Sequence, residues 1–101
     1  MRIQWSPLAV DRVCEVADYI SQDDPIAAQK WVESIFGRVK QVKNFAKSGR
    51  RVPEINREDI RELIHGNYRI IYRLEKRCVS VLTVRHFKQI LPIQDIENAW
   101  K

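Results

Sequence analysis

The spacing of apolar residues along the chain changes once, at Gly49. Before Gly49, apolar residues recur every three or four positions in two separate stripes, which is the spacing of amphipathic α-helices. After it they alternate with a period of two, which is the spacing of β-strands. The length of 101 residues suits a single domain over residues 1–101. We therefore expect a helical half followed by a sheet half.

Each helix carries its own start signal. Ser6-Pro7 and Asp24-Pro25 both place a preferred N-cap residue before a proline at the first helical position. The second helix is expected to run almost to Gly49, which would end it in a conformation with positive φ. A tight connection between two such stripes predicts an antiparallel helical hairpin.

The sheet half is expected to pair its strands in sequence. Short loops between successive strands favour antiparallel pairing, and two helices that share apolar stripes must cover one face of the sheet. The sequence thus predicts an α+β fold of order β-α-α-β-β-β: a short N-terminal strand and a helical hairpin on one face of a small, mainly antiparallel sheet. The opposite face can be open and polar, or the apolar and acidic tail from Ile90 to Trp100 can fold back over the sheet or serve as a dimer or target contact. The predicted strands are Arg2–Trp5, Arg61–Ile64, Tyr68–Leu74 and Cys78–Phe87, and a short C-terminal helix is predicted over Ile93–Trp100.

The positive charge is concentrated in one part of the chain. The net charge is +5, but residues 38–88 hold fourteen basic and five acidic side chains, a net charge of +9. A basic region of this kind indicates an anionic partner, either nucleic acid or an acidic protein segment.

Several classes of function lack their sequence signals. The chain contains no phosphate-binding glycine loop, no HExxH and no GxSxG motif. Two histidines and two distant cysteines, Cys14 and Cys78, make neither a metal site nor a disulfide framework, so we expect no metal and no cofactor. Cys14 is expected to be packed. Without an apolar run long enough for a membrane span or a signal peptide, a cytoplasmic location is expected.

Arginine, histidine and carboxylate side chains gather at the predicted strands. Guanidinium groups match phosphate oxygens, and a general base beside them could cleave RNA. The candidate proton carriers are His86, His65, Glu54 and Glu62. Each also has a structural interpretation: His65 as a surface residue of a turn, His86 as a packed residue at a strand end, and Glu62 as the partner of a neighbouring arginine. Two alternating tyrosines, Tyr68 and Tyr72, fit a core better than a base-stacking platform.

A series of short motifs, in order, resembles the RelE/ParE superfamily of toxins from type II toxin–antitoxin pairs, and is closest to its ParE-like members. The resemblance covers about residues 3–88. It rests on Trp5-Ser6-Pro7, Asp24-Pro25, Gly49–Glu54, Ile60–Leu63, Tyr68–Arg73 and Val84–His86.

This resemblance implies a toxin of the plasmid-stabilisation type that inhibits DNA gyrase by binding and is neutralised by a cognate acidic antitoxin, in a heterotetramer or a larger complex. The basic residues expected to contact the target or the antitoxin are Arg61, Arg69, Arg73, Arg85 and Lys88.

The superfamily also implies an alternative, a RelE-like, ribosome-dependent mRNA endonuclease. Its candidate catalytic residues would be His86 or Glu54 as base, with Arg69 and Arg85 stabilising the phosphate. The lysines of the nuclease pattern fall here on Ile60 and Glu62, which favours the gyrase inhibitor. A third alternative is a non-toxic remnant that only binds its antitoxin.

Overall fold

The computed structural model describes residues 1–99 and confirms the predicted α+β order, with one additional short strand. Trp100, which the sequence analysis included in the last helix, lies outside the described residues. The elements are β1 (Arg2–Trp5), α1 (Pro7–Ser21), α2 (Pro25–Lys40) with a 3₁₀ turn (Gln41–Lys43), β2 (Arg50–Arg51), β3 (Ile60–His65), β4 (Tyr68–Leu74), β5 (Cys78–His86) and α3 (Ile93–Ala99).

Both helix starts are capped as predicted. The Ser6 hydroxyl accepts a hydrogen bond from the amide of Ala9 at 3.0 Å. The Asp24 carboxylate accepts from the amides of Ile26 and Ala27, each at 3.1 Å. These side chains satisfy amides that have no partner inside the helix. Two capped helices in succession therefore form the hairpin α1–α2.

The prediction that Gly49 ends the second helix with a positive φ was wrong. Helix α2 ends at Lys40, and Gly49 does not have a positive φ. Among the described glycines, Gly66 is the one with a positive φ, at 57°. A Cβ atom on Gly49 would instead lie 2.5 Å from both the carbonyl oxygen of Glu62 and the hydroxyl of Tyr72. Glycine is needed here because the backbone approaches strands β3 and β4 too closely for any side chain.

The five strands form one mixed sheet in the order β1-β5-β4-β3-β2. Strand β1 pairs with β5 in parallel, and the other pairs are antiparallel. Strand β5 is an interior strand between β1 and β4. The outer strands of the sheet are β1 and the two-residue β2.

Both faces of the sheet carry an apolar cluster, so the second face is not open, and the tail folds back over it. The hairpin face buries residues such as Ile35, Val39 and Tyr72. Because side chains alternate along β4, Ile71 lies on the opposite face. There it belongs to a second cluster, to which the 52–60 segment and α3 also contribute. Its fully or nearly buried members are Val52, Ile60, Ile71, Leu82, Leu91 and Ile96. Apolar side chains on both faces of β4 and β5 require a cover on each side.

Candidate functional site

A closed cluster of ion pairs lies on the sheet face opposite the hairpin. The Glu62 carboxylate is fully buried, and Arg69 leaves 9% of its side chain exposed. Arg69 donates from Nε to Glu62 at 2.6 Å and from its two terminal nitrogens to Glu54 at 2.7 and 2.8 Å. Arg50 donates to the second oxygen of Glu62 at 2.9 Å. Each buried charge thus has an opposite charge in contact.

The strand pattern explains why these groups meet. The period of two places Glu62 of β3 and Arg69 of β4 on the same face, and the β3–β4 register pairs Ile64 with Arg69, one step along that face from Glu62. The hydrogen bond from Arg69 lowers the pKa of Glu54, and the bond to Glu54 raises the pKa of Arg69. Since all three nitrogens of Arg69 donate to carboxylates, its charge is neutralised within the fold.

Arg61 and Arg73 bind the segment that precedes β3. Arg61 donates to the carbonyl oxygen of Gly49 at 2.8 Å and to the Glu58 carboxylate at 2.8 Å. The Nε atom of Arg73 lies 3.5 Å from the Asp59 carboxylate. Both predicted binding residues therefore also hold the 47–59 segment against the sheet.

Arg85 belongs to a second charge cluster, at the end of β5. Its guanidinium lies 3.7 Å from the Asp95 carboxylate of α3, to which Arg12 of α1 comes within 3.3 Å. Arg85 also donates to the carbonyl oxygen of Ile90 at 3.3 Å. This cluster joins α1, α3 and β5. Lys88 is exposed, with its amine 5.9 Å from the centre of the Phe87 ring.

The two histidines lie in different settings. His86 is half-buried between aromatic rings, 5.4 Å from the Tyr68 centroid and 5.2 Å from that of Phe87. His65 ends β3 with Nε2 3.0 Å from the Ser34 hydroxyl of α2, so it is a half-buried interlayer contact and not the surface turn residue expected from the sequence. His86 lies by alternation on the hairpin face, where it pairs with Tyr68 in the β4–β5 register.

The candidate nuclease residues are divided between two surface hollows. His86 and Arg85 line one hollow, together with Tyr19 and Tyr68. Glu54 and Arg69 line another, together with Arg50, Ile64 and Phe87. A base and its phosphate-binding groups must surround one reacting centre. His86, Arg85, Glu54 and Arg69 therefore do not surround a single reacting centre.

The sequence predicted the burial of Tyr72 correctly and that of Cys14 incorrectly. Tyr72 is a core residue as predicted: its hydroxyl donates to the carbonyl oxygen of Ala46 at 2.8 Å and accepts from the Gly49 amide at 3.0 Å, and burial raises its pKa. Cys14 is exposed and not packed, because the buried residues of α1 are Ala9 and Val13 on its other side.

Sequence reasoning missed a third hollow, between β1 and the end of α2. It combines apolar and basic side chains and contains no carboxylate among the described residues that line it: Arg2, Ile3, Trp5, Phe36, Val39, Lys40 and Lys43. The sequence analysis included Lys40 and Lys43 only as members of the basic region of residues 38–88. The sequence signal for this hollow is Phe36, a second large apolar residue directly after Ile35; the structure leaves it 42% exposed.

Two kinds of site have no representative in the described part of the chain. Among residues 1–99, no group of three histidine, cysteine, aspartate or glutamate side chains is placed to hold a metal ion. No helix in the same range is both long and apolar enough to cross a membrane.

Known proteins share both this sequence pattern and this fold. Residues 3–91 match the family described as "ParE toxin of type II toxin-antitoxin system, parDE". A Sinorhizobium fredii (strain NBRC 101917 / NGR234) protein named "Putative toxin Y4kP" is 37% identical over 95 residues, which span 90% of this chain and 93% of that protein. A chain described as "Chromosomal ParDE TA system from P. aeruginosa" has the same fold, with a TM-score of 0.73 and 21% identity, over 87% of this chain and 97% of that one.

The helical hairpin on a mixed sheet, together with these matches, defines a toxin component of a type II toxin–antitoxin system. Within that class the chain belongs to the ParE toxin family.

Proposed function

We propose that this protein inhibits DNA gyrase by binding to it in the cytoplasm, and that a cognate acidic antitoxin neutralises it. The observation that carries the proposal is the family match, which extends over residues 3–91 and thus over the hairpin and all of the sheet except Arg2. Such a module would stabilise the plasmid or chromosomal region that encodes it.

The geometry of the charged residues supports binding rather than catalysis. The two hollows separate His86 and Arg85 from Glu54 and Arg69. Arg69 is already paired with two carboxylates, and their negative charge offsets the positive charge that would have to stabilise a developing phosphate charge. An inhibitor that acts by contact needs neither a shared reacting centre nor a free guanidinium.

The basic region supports an acidic antitoxin as partner. Residues 38–88 carry a net charge of +9, which would speed and orient association with a negative chain. In this proposal Lys88 contacts a partner directly. Four arginines contribute positive charge to the same surface and also hold neighbouring segments of the chain in place for the partner. They are Arg61, Arg69, Arg73 and Arg85.

One observation keeps the mRNA endonuclease as the second candidate. His86 and Arg85 line the same hollow as two tyrosines, Tyr19 and Tyr68. A histidine base, a cation and aromatic rings are groups that can bind and cleave RNA on the ribosome. In this alternative those residues, without Glu54 and Arg69, would form the site.

Induction of the protein in growing cells, with a His86→Ala variant as comparison, separates these candidates. A gyrase inhibitor should arrest growth, cause DNA breaks and leave transcript ends unchanged, and His86→Ala should remain toxic. New transcript ends at translated codons, lost in His86→Ala, would support the nuclease instead. Growth without arrest would indicate a non-toxic remnant.

A further inference from the structure

The positive charge that carboxylates do not compensate is concentrated in one short segment. Of the fourteen basic residues in 38–88, seven form ion pairs within the chain: Arg50, Arg51, Arg57, Arg61, Arg69, Arg73 and Arg85. Four of the other seven lie within ten residues and pair with no carboxylate of residues 1–99: Arg38, Lys40, Lys43 and Lys47. Residues 34–53, which include them, contain no aspartate or glutamate. These four side chains form a cationic array.

The cationic array follows the end of α2 and the loop after it. Lys40 is the last residue of α2, Lys43 ends the 3₁₀ turn, and Lys47 lies in the loop before β2. All three lysines are exposed, and the Arg38 guanidinium donates to the neutral side chain of Gln41 at 2.7 Å. The negative end of the α2 dipole corresponds to about half an elementary charge, so it offsets only a small part of four cations. The array therefore presents most of its charge to solvent.

Exposed lysines of this kind suit a polyphosphate better than a protein. Charges at the exposed rim of a protein interface contribute little affinity, since the buried centre of the interface supplies most of it. A lysine that neutralises a backbone phosphate of DNA instead releases a bound counterion, which favours binding even at a fully exposed site. Lysine also needs no fixed contact geometry, because its ammonium group is a point charge on a flexible stem. The array thus has the properties of a phosphate contact that does not depend on sequence.

We infer that the cationic array binds the phosphate backbone of duplex DNA without reading its sequence. Each of the four side chains would neutralise one phosphate. Binding of this type has a Kd of about 10⁻⁴–10⁻⁶ M at physiological ionic strength and weakens steeply with salt. The inference goes beyond the proposed function and holds whether or not gyrase is the target. On gyrase, the same contact would engage the duplex that the enzyme holds.

The salt dependence of binding to a short duplex tests the inference on the wild-type chain. Fluorescence anisotropy of a labelled, random-sequence duplex gives the Kd at each salt concentration. Four phosphate contacts predict a slope of about −3.6 for log K against log salt, so affinity should fall roughly 150-fold between about 50 and 200 mM salt. A slope shallower than about −2, or no binding at about 50 mM salt, would overturn the inference.

Single substitutions test whether the array, and not the net charge, binds the duplex. Lys43→Gln and Lys47→Gln should each weaken binding about tenfold at about 50 mM salt and make the slope shallower by about 1. Lys30→Gln is the matched control, because Lys30 is also exposed, has no ion pair within residues 1–99 and lies about 15 Å before the end of α2. It should leave the Kd within about twofold of wild type. Equal losses in all three variants would show that net charge alone attracts the DNA, and would overturn the assignment.

Two further measurements separate duplex DNA from other anionic partners. Phe45 lies between Lys43 and Lys47 in the sequence and is 68% exposed. Duplex phosphates make no use of its ring, so Phe45→Ala should leave the Kd within about twofold of wild type. A larger loss would indicate stacking on the bases of a single strand and would overturn the choice of a duplex.

The second measurement is competition by poly-glutamate of the same total charge. It should displace the duplex poorly, since a duplex carries a negative charge about every 1.7 Å of its axis and an extended peptide one about every 3.4 Å. Displacement at an equal concentration would assign the cationic array to an acidic protein segment, and the inference would be wrong.

Discussion

At the scale of single residues, the most consequential feature is a glutamate buried among arginines. Glu62 has a fully buried side chain and contacts both Arg50 and Arg69. A charge taken out of water is costly unless partners compensate for it. The pairing of Glu62 with a neighbouring arginine was one interpretation of the sequence, and the structure confirms it.

Loss of Arg69 should destabilise the fold strongly. Arg69→Met leaves Glu62 with only the exposed Arg50 as partner, so we expect the free energy of unfolding to fall by about 3 kcal/mol. Arg51→Met is the matched control, because Arg51 pairs with Glu58 at a surface where both side chains are more than half exposed. Its cost should stay below about 1 kcal/mol. Urea unfolding followed by tryptophan fluorescence measures both, and equal costs would contradict the structural role of Arg69.

Gly49 should not tolerate a methyl group. Gly49→Ala places Cβ 2.5 Å from the backbone of Glu62 and from the Tyr72 hydroxyl, so the strands must move apart, and we expect a loss of more than about 1 kcal/mol. Gly37→Ala is the control on α2, where nothing lies within 4 Å of the added Cβ. It should be neutral or stabilise by up to about 1 kcal/mol. Thermal unfolding of the two variants should shift the midpoint in opposite directions or, at the least, lower it only for Gly49→Ala.

At the scale of elements, α3 determines what the second face of the sheet presents. It packs Ile96, which is fully buried, over the cluster of Ile71 and Leu82, and Asp95 joins it to Arg12 and Arg85. The helix lies beyond residue 91, where the family match ends. It is therefore an element that the family pattern alone does not describe.

Substitutions in α3 should separate its inner side from its outer side. Ile96→Ala creates a cavity in the second cluster and should cost about 2–4 kcal/mol. Ile93→Ala changes a residue that is 51% exposed on the same helix and should cost less than about 1 kcal/mol. Chemical denaturation provides both values. Similar small costs would mean that α3 does not cover the sheet in solution.

The 52–59 segment should be held to the sheet more weakly in acid. The pKa of Glu54 in the folded protein lies below its ordinary value of 4.5 because of the hydrogen bond from Arg69, with Arg50 also contributing. A lowered pKa gives stability that is present above about pH 4.5 and lost as the pH falls through the folded value. Glu54→Gln removes this contribution. The difference in unfolding free energy between wild type and Glu54→Gln should be largest at pH 7 and shrink towards about pH 3. If the difference does not change with pH, the Glu54–Arg69 ion pair is not the source of the difference.

The sequence predicted what depends on local pattern and missed what depends on contacts between distant elements. Strand β4 was predicted at its observed bounds because its alternation and the turn after His65 are local signals. The reason for Gly49 was missed because the close approach comes from β3 and β4, which are distant in sequence. The division of His86 and Glu54 between two hollows follows from strand register and from the path of the 52–59 segment, which spacing alone does not determine.

At the scale of the whole molecule, the arginines of the basic region stabilise the fold. Arg61, Arg69, Arg73 and Arg85 all contact carboxylates of the same chain. The net charge of residues 38–88 is still +9, because basic side chains outnumber acidic ones there by fourteen to five. An anionic partner would therefore be attracted by the overall field of this region.

The most direct test of the central claim is a supercoiling assay with purified DNA gyrase and relaxed plasmid. Added toxin should reduce supercoiling in proportion to its concentration and increase cleaved DNA, His86→Ala should act like wild type, and prior addition of the antitoxin should abolish the effect. A parallel cell-free translation reaction should be unaffected. Full gyrase activity at every toxin concentration, with transcripts cleaved in the translation reaction, would contradict the account.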